Sequence, residues 1–347
     1  MARAPRAPRA ARVRRVSRVP RALRSPWLWI GVLSAVVVGM LAVGGVFVSH
    51  WANAVTARPP GVGTEFIAPT LSKAQRALDS DLTPEQQEAA EYLAAQPSTY
   101  WITPEQDPIG QAGATVGALA KQARSEGKAL SVAVYGLPGR DCGNHSAGGL
   151  EPDDYKTWVA EIGAALDNAR DVQKIVVLEP DSLALAPECG NLDERVTQLR
   201  GAVAALQSVD TWIYLDGGHS SWLAPERMAQ LISAVDVADS VRGFATNVSN
   251  FQSLTDEFAY AHAVASHLDG MHAVIDTSRN GTASAGAEWC NPAGQTVGET
   301  AGEYGDDVVD TNLWIKPPGE SDGPCNGGPA AGKWWPEGAV ALTAAAR

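Results

Sequence analysis

Two apolar, β-branched runs near the middle of the chain each end in an aspartate. VAVYGLPGRDCGNHSAGG, residues 132–149, delivers Asp141, and IVVLEPDSLA, residues 175–184, delivers Asp181. Both runs break at Pro or Gly just before the acid. Two carboxyls presented from separate strand ends can divide proton donation from water activation, as two-acid hydrolysis requires. One of them stays protonated at neutral pH if it is desolvated or lies beside a second anion. Asp141 and Asp181, on adjacent expected strands, form a pair of that kind.

The same pattern continues along the chain. Strand-like runs are followed by Arg140 and Asp141, Glu179 and Asp181, Asp216 and His219, Asn247 and Asn250, Asp276 and Arg279, and Lys316, Glu320 and Asp322. A single acid after a strand is most often a turn former or a helix cap. Six successive strand ends carrying such groups point to one shared site. Trp101, Trp222, Trp289, Trp314, Trp334 and Trp335 stand near these acids, and flat indole faces suit the stacking of sugar rings. Trp314 lies inside an apolar run and reads as core. There is no HExxH, no GxSxG, no P-loop and no GxGxxG after a strand. His145 and His219 follow strand ends without a third ligand at metal spacing, so second-tier hydrogen bonding is the better reading than metal binding.

The elements that must position these groups alternate. Strands are expected at Thr99–Ile102, Leu130–Tyr135, Lys174–Leu178, Thr211–Leu215, Gly243–Thr246, Met271–Asp276 and Asn312–Lys316. Helical spacing joins Val116, Leu119, Ala120 and Ala123, with Gly127 as the stop; it also joins Tyr155, Val159, Ile162 and Leu166. Val196, Leu199, Val203 and Leu206 repeat it, as do Met228, Leu231, Ile232 and Val235. Strand–helix alternation of this kind builds a parallel sheet with crossover helices, whose sites lie at the carboxyl ends of the strands. Seven strands is one short of the usual closed barrel.

Charge divides the chain. Nine arginines and no acid fall within residues 1–25; the remainder holds 18 basic residues against 39 acidic ones. So acidic a body argues against a nucleic-acid partner. Residues 1–26 read as a basic cytoplasmic tail. Residues 27–48 are uncharged and long enough to cross a bilayer as a helix, with the arginines on the inside. Small-x-Ala sites at residues 52–54 and 55–57 also suit a cleaved signal. Either way the body is exported, whether secreted or anchored outside the cell. Residues 49–65 form a Pro/Gly linker, and residues 66–347 read as one domain. Cys142, Cys189, Cys290 and Cys325 form no CxxC pair, and in an exported chain they favour two disulfides, with three pairings open. The Asn-x-Ser/Thr sequons at Asn144, Asn247 and Asn280 lie in expected site turns, where a glycan would block access.

At these residues the chain resembles glycoside hydrolase family 6, the cellulases of the endoglucanase and cellobiohydrolase type. Residues 132–149 match the first family signature and residues 175–184 the second. The likeness continues through IYLDGGHSSW, ATNVSN, IDTSRNG, EWCNP and WIKPPGESDG and covers the body from about Phe66. The resemblance implies an α/β fold, a distorted seven-stranded parallel β/α barrel (TIM-like) forming a single catalytic domain, and inverting hydrolysis of β-1,4-glucan. Asp181 matches the general acid. Asp141 matches the second aspartate, which raises the pKa of the acid and is tied to delivery of the water. Asp322 matches the proposed base, and Tyr135 the tyrosine beneath the distorted sugar. Trp101, Asp216, His219, Trp222, Trp289, Lys316 and Glu320 match substrate-contacting positions; Asn247 and Asn250 join them from their strand end. The implied disulfides are Cys142–Cys189 and Cys290–Cys325. No metal and no cofactor are implied. The partner is β-1,4-glucan or cello-oligosaccharide, and a monomer is expected.

One departure concerns the water. Some family members carry a serine six residues after the first-signature aspartate, and this chain has Ala147 there; Ser146 or a main-chain carbonyl would have to substitute. The segment between Trp289 and Trp314 is short, which favours an open cleft and endo action over an exo-acting cellobiohydrolase. A non-catalytic, membrane-held glucan-binding protein on the same fold is the alternative of a different class. Retention of Asp141, Asp181 and Asp322 speaks against it, since a binder needs no proton donor.

Overall fold

The computed structural model describes residues 57–143, 148–282, 286 and 288–347. The expected basic tail and apolar span of residues 1–48, together with His145, Ser146 and Ala147, lie outside the described residues. Among those described, no helix is long and apolar enough to cross a membrane.

Seven strands pair in chain order, every neighbour parallel: β1 (Tyr100–Ile102), β2 (Leu130–Val134), β3 (Lys174–Leu178), β4 (Thr211–Asp216), β5 (Gly243–Thr246), β6 (His272–Asp276) and β7 (Val309–Leu313). Their side chains alternate between two apolar layers, as the pleat requires. Val132, Val134, Val176, Leu178, Ile213 and Leu215 face the helices. Ala133, Ile175, Val177, Tyr214, Ala245 and Val274 fill the concave inside. Both faces are covered, which is why β2 and β3 are buried at every position.

The helices are α1 (Lys73–Ala77), α2 (Pro84–Ala94), α3 (Ala112–Glu126), α4 (Pro152–Asp167), α5 (Ser182–Cys189), α6 (Leu192–Leu206), α7 (Pro225–Val235), α8 (Leu254–Ala265) and α9 (Pro336–Thr343). The four read from spacing are α3, α4, α6 and α7. Gly127 does end α3, at φ 67°. Spacing did not announce α5, which is short and carries Pro187. Nor did it announce α8, whose inner face includes a glutamate.

The seventh strand differs from expectation. The apolar stretch of residues 312–316 suggested it, but pairing with β6 runs over Val309–Leu313. Polar Asp310, Thr311 and Asn312 are buried there because partners meet them. Asp310 accepts from Arg242 at 2.7 and 2.8 Å and from the Tyr214 hydroxyl at 2.6 Å. Trp314 and Ile315 instead close the seam between the first and last strands. Thr99 N–H donates to Trp314 O at 2.8 Å, and Trp101 Nε1 donates to Ile315 O at 2.7 Å. The sheet is therefore a distorted half-barrel stitched, not laddered, along one side. Trp314 is 1% exposed, in line with its reading as core.

Residues ahead of Phe66 also pack on this domain. Gly63 N–H donates to Gly302 O and Ala129 N–H to Glu65 O, each at 2.8 Å. The expected disulfides Cys142–Cys189 and Cys290–Cys325 are both present, with Cα separations of 5.7 and 6.1 Å.

Candidate active site

The residues after the strand ends gather at the carboxyl rim of the half-barrel. Several take φ values that L-residues rarely adopt: Asp141 (52°), Cys142 (53°), Glu179 (50°), Asp181 (66°), Asn247 (61°), Ser249 (60°) and Asn291 (49°). Strain of this sort clusters where a chain must aim side chains at a site.

Asp181 sits at the N-terminal cap of α5, yet its side chain makes no capping bond. Aspartate at this position usually accepts a helix N–H. Here the carboxyl is left for other work. Its pKa is raised well above the usual carboxylate range, first by burial, then by Asp216, then by Asp141, with Lys316 opposing. The residue still keeps partial solvent contact. A protonated carboxyl with an outlet is the state that a general acid needs.

Asp216, at the end of β4, is 1% exposed. Its Oδ2 accepts from Asp181 N–H at 3.1 Å and from Gly218 N–H at 3.2 Å. Burial pushes its pKa up to about 7. It therefore lies against the backbone of Asp181.

Asp141 Oδ2 accepts from the Tyr135 hydroxyl at 2.7 Å. The Tyr135 ring meets the Trp101 ring edge-on, centroids 5.2 Å apart, and the Arg140 guanidinium covers it at 4.5 Å. Arg140 also donates to Tyr135 O and to Glu105. The turn bearing Asp141 is held from below by Glu179, which is fully buried and accepts from Gly136 and Leu137 N–H at 3.0–3.1 Å. Arg195 of α6 donates to the carbonyls of Pro138 and Gly139. Past the turn, a Cβ on Gly149 would lie 1.8 Å from Leu137 O, so only glycine lets the chain return there.

Across the rim, Asp322 is gripped by cations. Arg279 Nη1 donates to both of its oxygens at 2.7 and 2.9 Å, and Lys316 Nζ lies 3.5 Å away. Asn291 clasps the same turn. Its N–H donates to Asp322 Oδ2 at 3.1 Å, and its Oδ1 accepts from Asp322 N–H at 2.9 Å. Arg279 stacks over Phe251 at 4.1 Å. The Lys316 ammonium stands 5.5 Å over the Trp101 ring, and burial lowers its pKa.

Asp276 serves the scaffold. Its two oxygens accept four backbone N–H groups: Ser278 and Ile315 on one, Ser249 and Lys316 on the other, at 2.9–3.2 Å. One carboxylate thus pins the ends of β5, β6 and β7 together. Asn247, fully buried, does likewise through Asp276 O and Gln252 N. Asn250 turns its amide to Val248 O.

The opposite wall carries His219 and Trp222, rings 5.6 Å apart. Burial lowers the His219 pKa to about 4, so it is neutral at ordinary pH, and its Nδ1 accepts from Ser221 N–H at 3.3 Å. Glu257 of α8 steadies this loop by accepting from Ser220 N–H at 2.9 Å. Trp289 is 41% exposed, a wide apolar face turned to solvent. Sequence reading missed Glu257, because a glutamate on a helix ordinarily reads as a solvated face. It also missed Asn291, although EWCNP lay within the matched motifs.

The sequence profile of glycosyl hydrolases family 6 matches residues 63–346. The chain belongs to glycoside hydrolase family 6. Endoglucanase A of Cellulomonas fimi is 40% identical over 258 residues, covering 74% of this chain and 56% of that protein. Endoglucanase A of Thermobispora bispora is 35% identical over 296 residues, 78% of this chain and 64% of its own length. The family 6 chain thus spans about half to two thirds of these relatives. Among solved structures, the endoglucanase Cel6 of Mycobacterium tuberculosis superposes with a TM-score of 0.74 at 34% identity, over 81% of this chain and 96% of that one.

Proposed function

We propose that this family 6 protein hydrolyses β-1,4-glucosidic bonds with inversion and cuts within the glucan chain. The observation that carries the reading is the contrast between two acids on one rim. Asp181 is kept protonated by burial and by Asp216 and Asp141, while Asp322 is ion-paired with Arg279 and Lys316.

In the proposed reaction Asp181 gives its proton to the glycosidic oxygen as that bond breaks. A water attacks the anomeric carbon from the opposite face and passes its proton towards Asp322, directly or through solvent. An inverting pair stands about 6.5–9.5 Å apart to admit that water. Asp141 contributes negative charge that favours the protonated acid, and it orients Tyr135 beneath the reacting sugar. Trp101, Trp222 and Trp289 supply stacking faces; His219, Asn250, Lys316 and Glu320 supply polar contacts. Asp216 and Asn247 act on the sugar through the backbone they hold. The M. tuberculosis endoglucanase structure contains methyl-cellobiosyl-4-deoxy-4-thio-β-D-cellobioside, which supports a cello-oligosaccharide as ligand here.

Endo action rests on the names of the relatives, on the short segment before Trp314 and on the exposure of Trp289. Two disulfides support an exported site of action. The deciding experiment follows soluble-glucan viscosity beside reducing-sugar release. Endo action gives a fast viscosity fall per bond cut; a slow fall means exo. Proton NMR of the first-formed product checks stereochemistry, and a β-configured reducing end rules out inversion.

A further inference from the structure

Lys73 is the first residue of α1, ahead of the whole barrel, and its Nζ lies 2.7 Å from Glu320 Oε2, beyond the last strand. The pair spans the seam that Trp101 and Ile315 close. The Glu320 side chain is 8% exposed and that of Lys73 25%. A surface lysine–glutamate pair is worth little. This one is different, because a mostly buried carboxylate left without its cation bears a desolvation cost. The backbone of Glu320 is fixed independently, by its N–H bond to Pro317 O and its antiparallel bridge to Trp334. The carboxylate direction is therefore what Lys73 decides.

A second cation feels the same carboxylate. Lys316, 3.5 Å from Asp322, is drawn by Asp322 and also by Glu320, and it is repelled by Arg279 and by Lys73. With Lys73 neutralising Glu320, Lys316 stays with Asp322 and over the Trp101 ring. Without Lys73, Glu320 has two remedies: turning out to water or drawing Lys316 across. Either one disturbs the polar edge beside Trp101.

We propose that Lys73 is a positioning residue for sugar binding at the Trp101 end of the cleft, acting through Glu320 and Lys316. This rests on the β-1,4-glucan reading above and extends it to a residue outside the barrel. It sets how tightly a ring on Trp101 is held and leaves bond cleavage at Asp181 alone.

The test compares Lys73→Met and Lys73→Arg with wild type on cellopentaose, measuring kcat and KM separately, with melting temperature alongside. Lys73→Met is expected to raise KM about five- to tenfold, the loss of roughly one charge-assisted contact, with kcat within about twofold. Lys73→Arg, which keeps the charge and the reach, is expected to recover most of the affinity. An unchanged KM in Lys73→Met overturns the proposal. So does a fall of kcat, affinity and melting temperature together in both variants, the mark of a structural role alone. If wild type neither binds nor cleaves cellopentaose, the glucan reading itself fails and this inference goes with it.

Discussion

The backbone N–H of Asp181 donates to Asp216 Oδ2 at 3.1 Å, so two acids from neighbouring strand ends share one partly buried contact. Burial pushes the Asp216 pKa up to about 7. As pH rises through that range it becomes charged, and its charge holds the proton on Asp181 just when solvent would remove it. The second acid is thus expected to extend towards alkaline pH the range over which Asp181 stays protonated.

Replacing Asp216 by asparagine keeps an oxygen for the Asp181 and Gly218 N–H groups but deletes the charge. The alkaline limb of the kcat profile should move to lower pH. Asp141→Asn should shift it the same way by less, since Asp216 is the larger influence on Asp181. Asp181→Ala should lower kcat by about 10²- to 10⁴-fold, the usual contribution of a general acid. A pH profile of Asp216→Asn that overlays wild type defeats this account.

Arg279 and Asp322 are 2% and 4% exposed, a pair buried on both sides. Removing one partner of such a pair typically destabilises by about 3–5 kcal/mol. Arg279→Met should therefore lower the melting temperature and kcat together. Arg279→Lys keeps the charge but not the planar fork, and should retain more stability than activity. Thermal melts beside kinetics on cellopentaose separate the two effects; equal activity in Arg279→Lys and wild type contradicts the positioning of Asp322 by the guanidinium.

Buried acids also set how stability depends on pH. Glu179, Asp216 and Glu257 are all raised to about 7, chiefly by burial. Between the unfolded carboxylate range and about pH 7 the folded state holds more protons than the unfolded chain at these three sites. Stability from them is full below that window and declines as pH rises through it. His219, lowered to about 4, works in the opposite sense between about 4 and 6.5, but it is one group against three. The melting temperature should fall from pH 5 to pH 8. Glu257→Gln, which keeps an acceptor for Ser220, should flatten that slope; an unaltered slope in this variant counts against the assignment.

Cys142 follows Asp141 directly, and Cys189 ends the helix that Asp181 caps, so the first disulfide ties the two acidic turns together. A link closing 47 residues stabilises by about 4 kcal/mol through the unfolded chain. Loss of Cys290–Cys325, which closes 35 residues, should have a similar effect on melting, about 4 kcal/mol by the same reasoning. Activity should separate them. Cys142→Ser with Cys189→Ser should lower kcat at neutral pH beyond its effect on melting, because Asp141 is freed from Asp181. Parallel loss of activity and stability in both double variants counts against that coupling.

What the sequence determined by itself was largely local. Strand runs, their order and the acids at their ends are written in contiguous residues, because period and turn chemistry act over a few positions. Membership of the family followed from the same long, ordered motifs. The seventh strand escaped because its buried polar residues are satisfied by distant groups: Asp310 by Arg242 and Tyr214, and Asn312 by Thr277 and the backbone of residues 299–304. Tertiary structure alone decided the surroundings of each acid. Asp181, Asp216 and Asp276 all stand at strand ends and look alike in one dimension. One is held protonated at the rim, one accepts its backbone N–H, and one pins three strand ends with four N–H groups. That division depends on which neighbours desolvate or charge each carboxyl, and those neighbours come from distant segments. Lys73 and Glu320, 247 positions apart, are the extreme case.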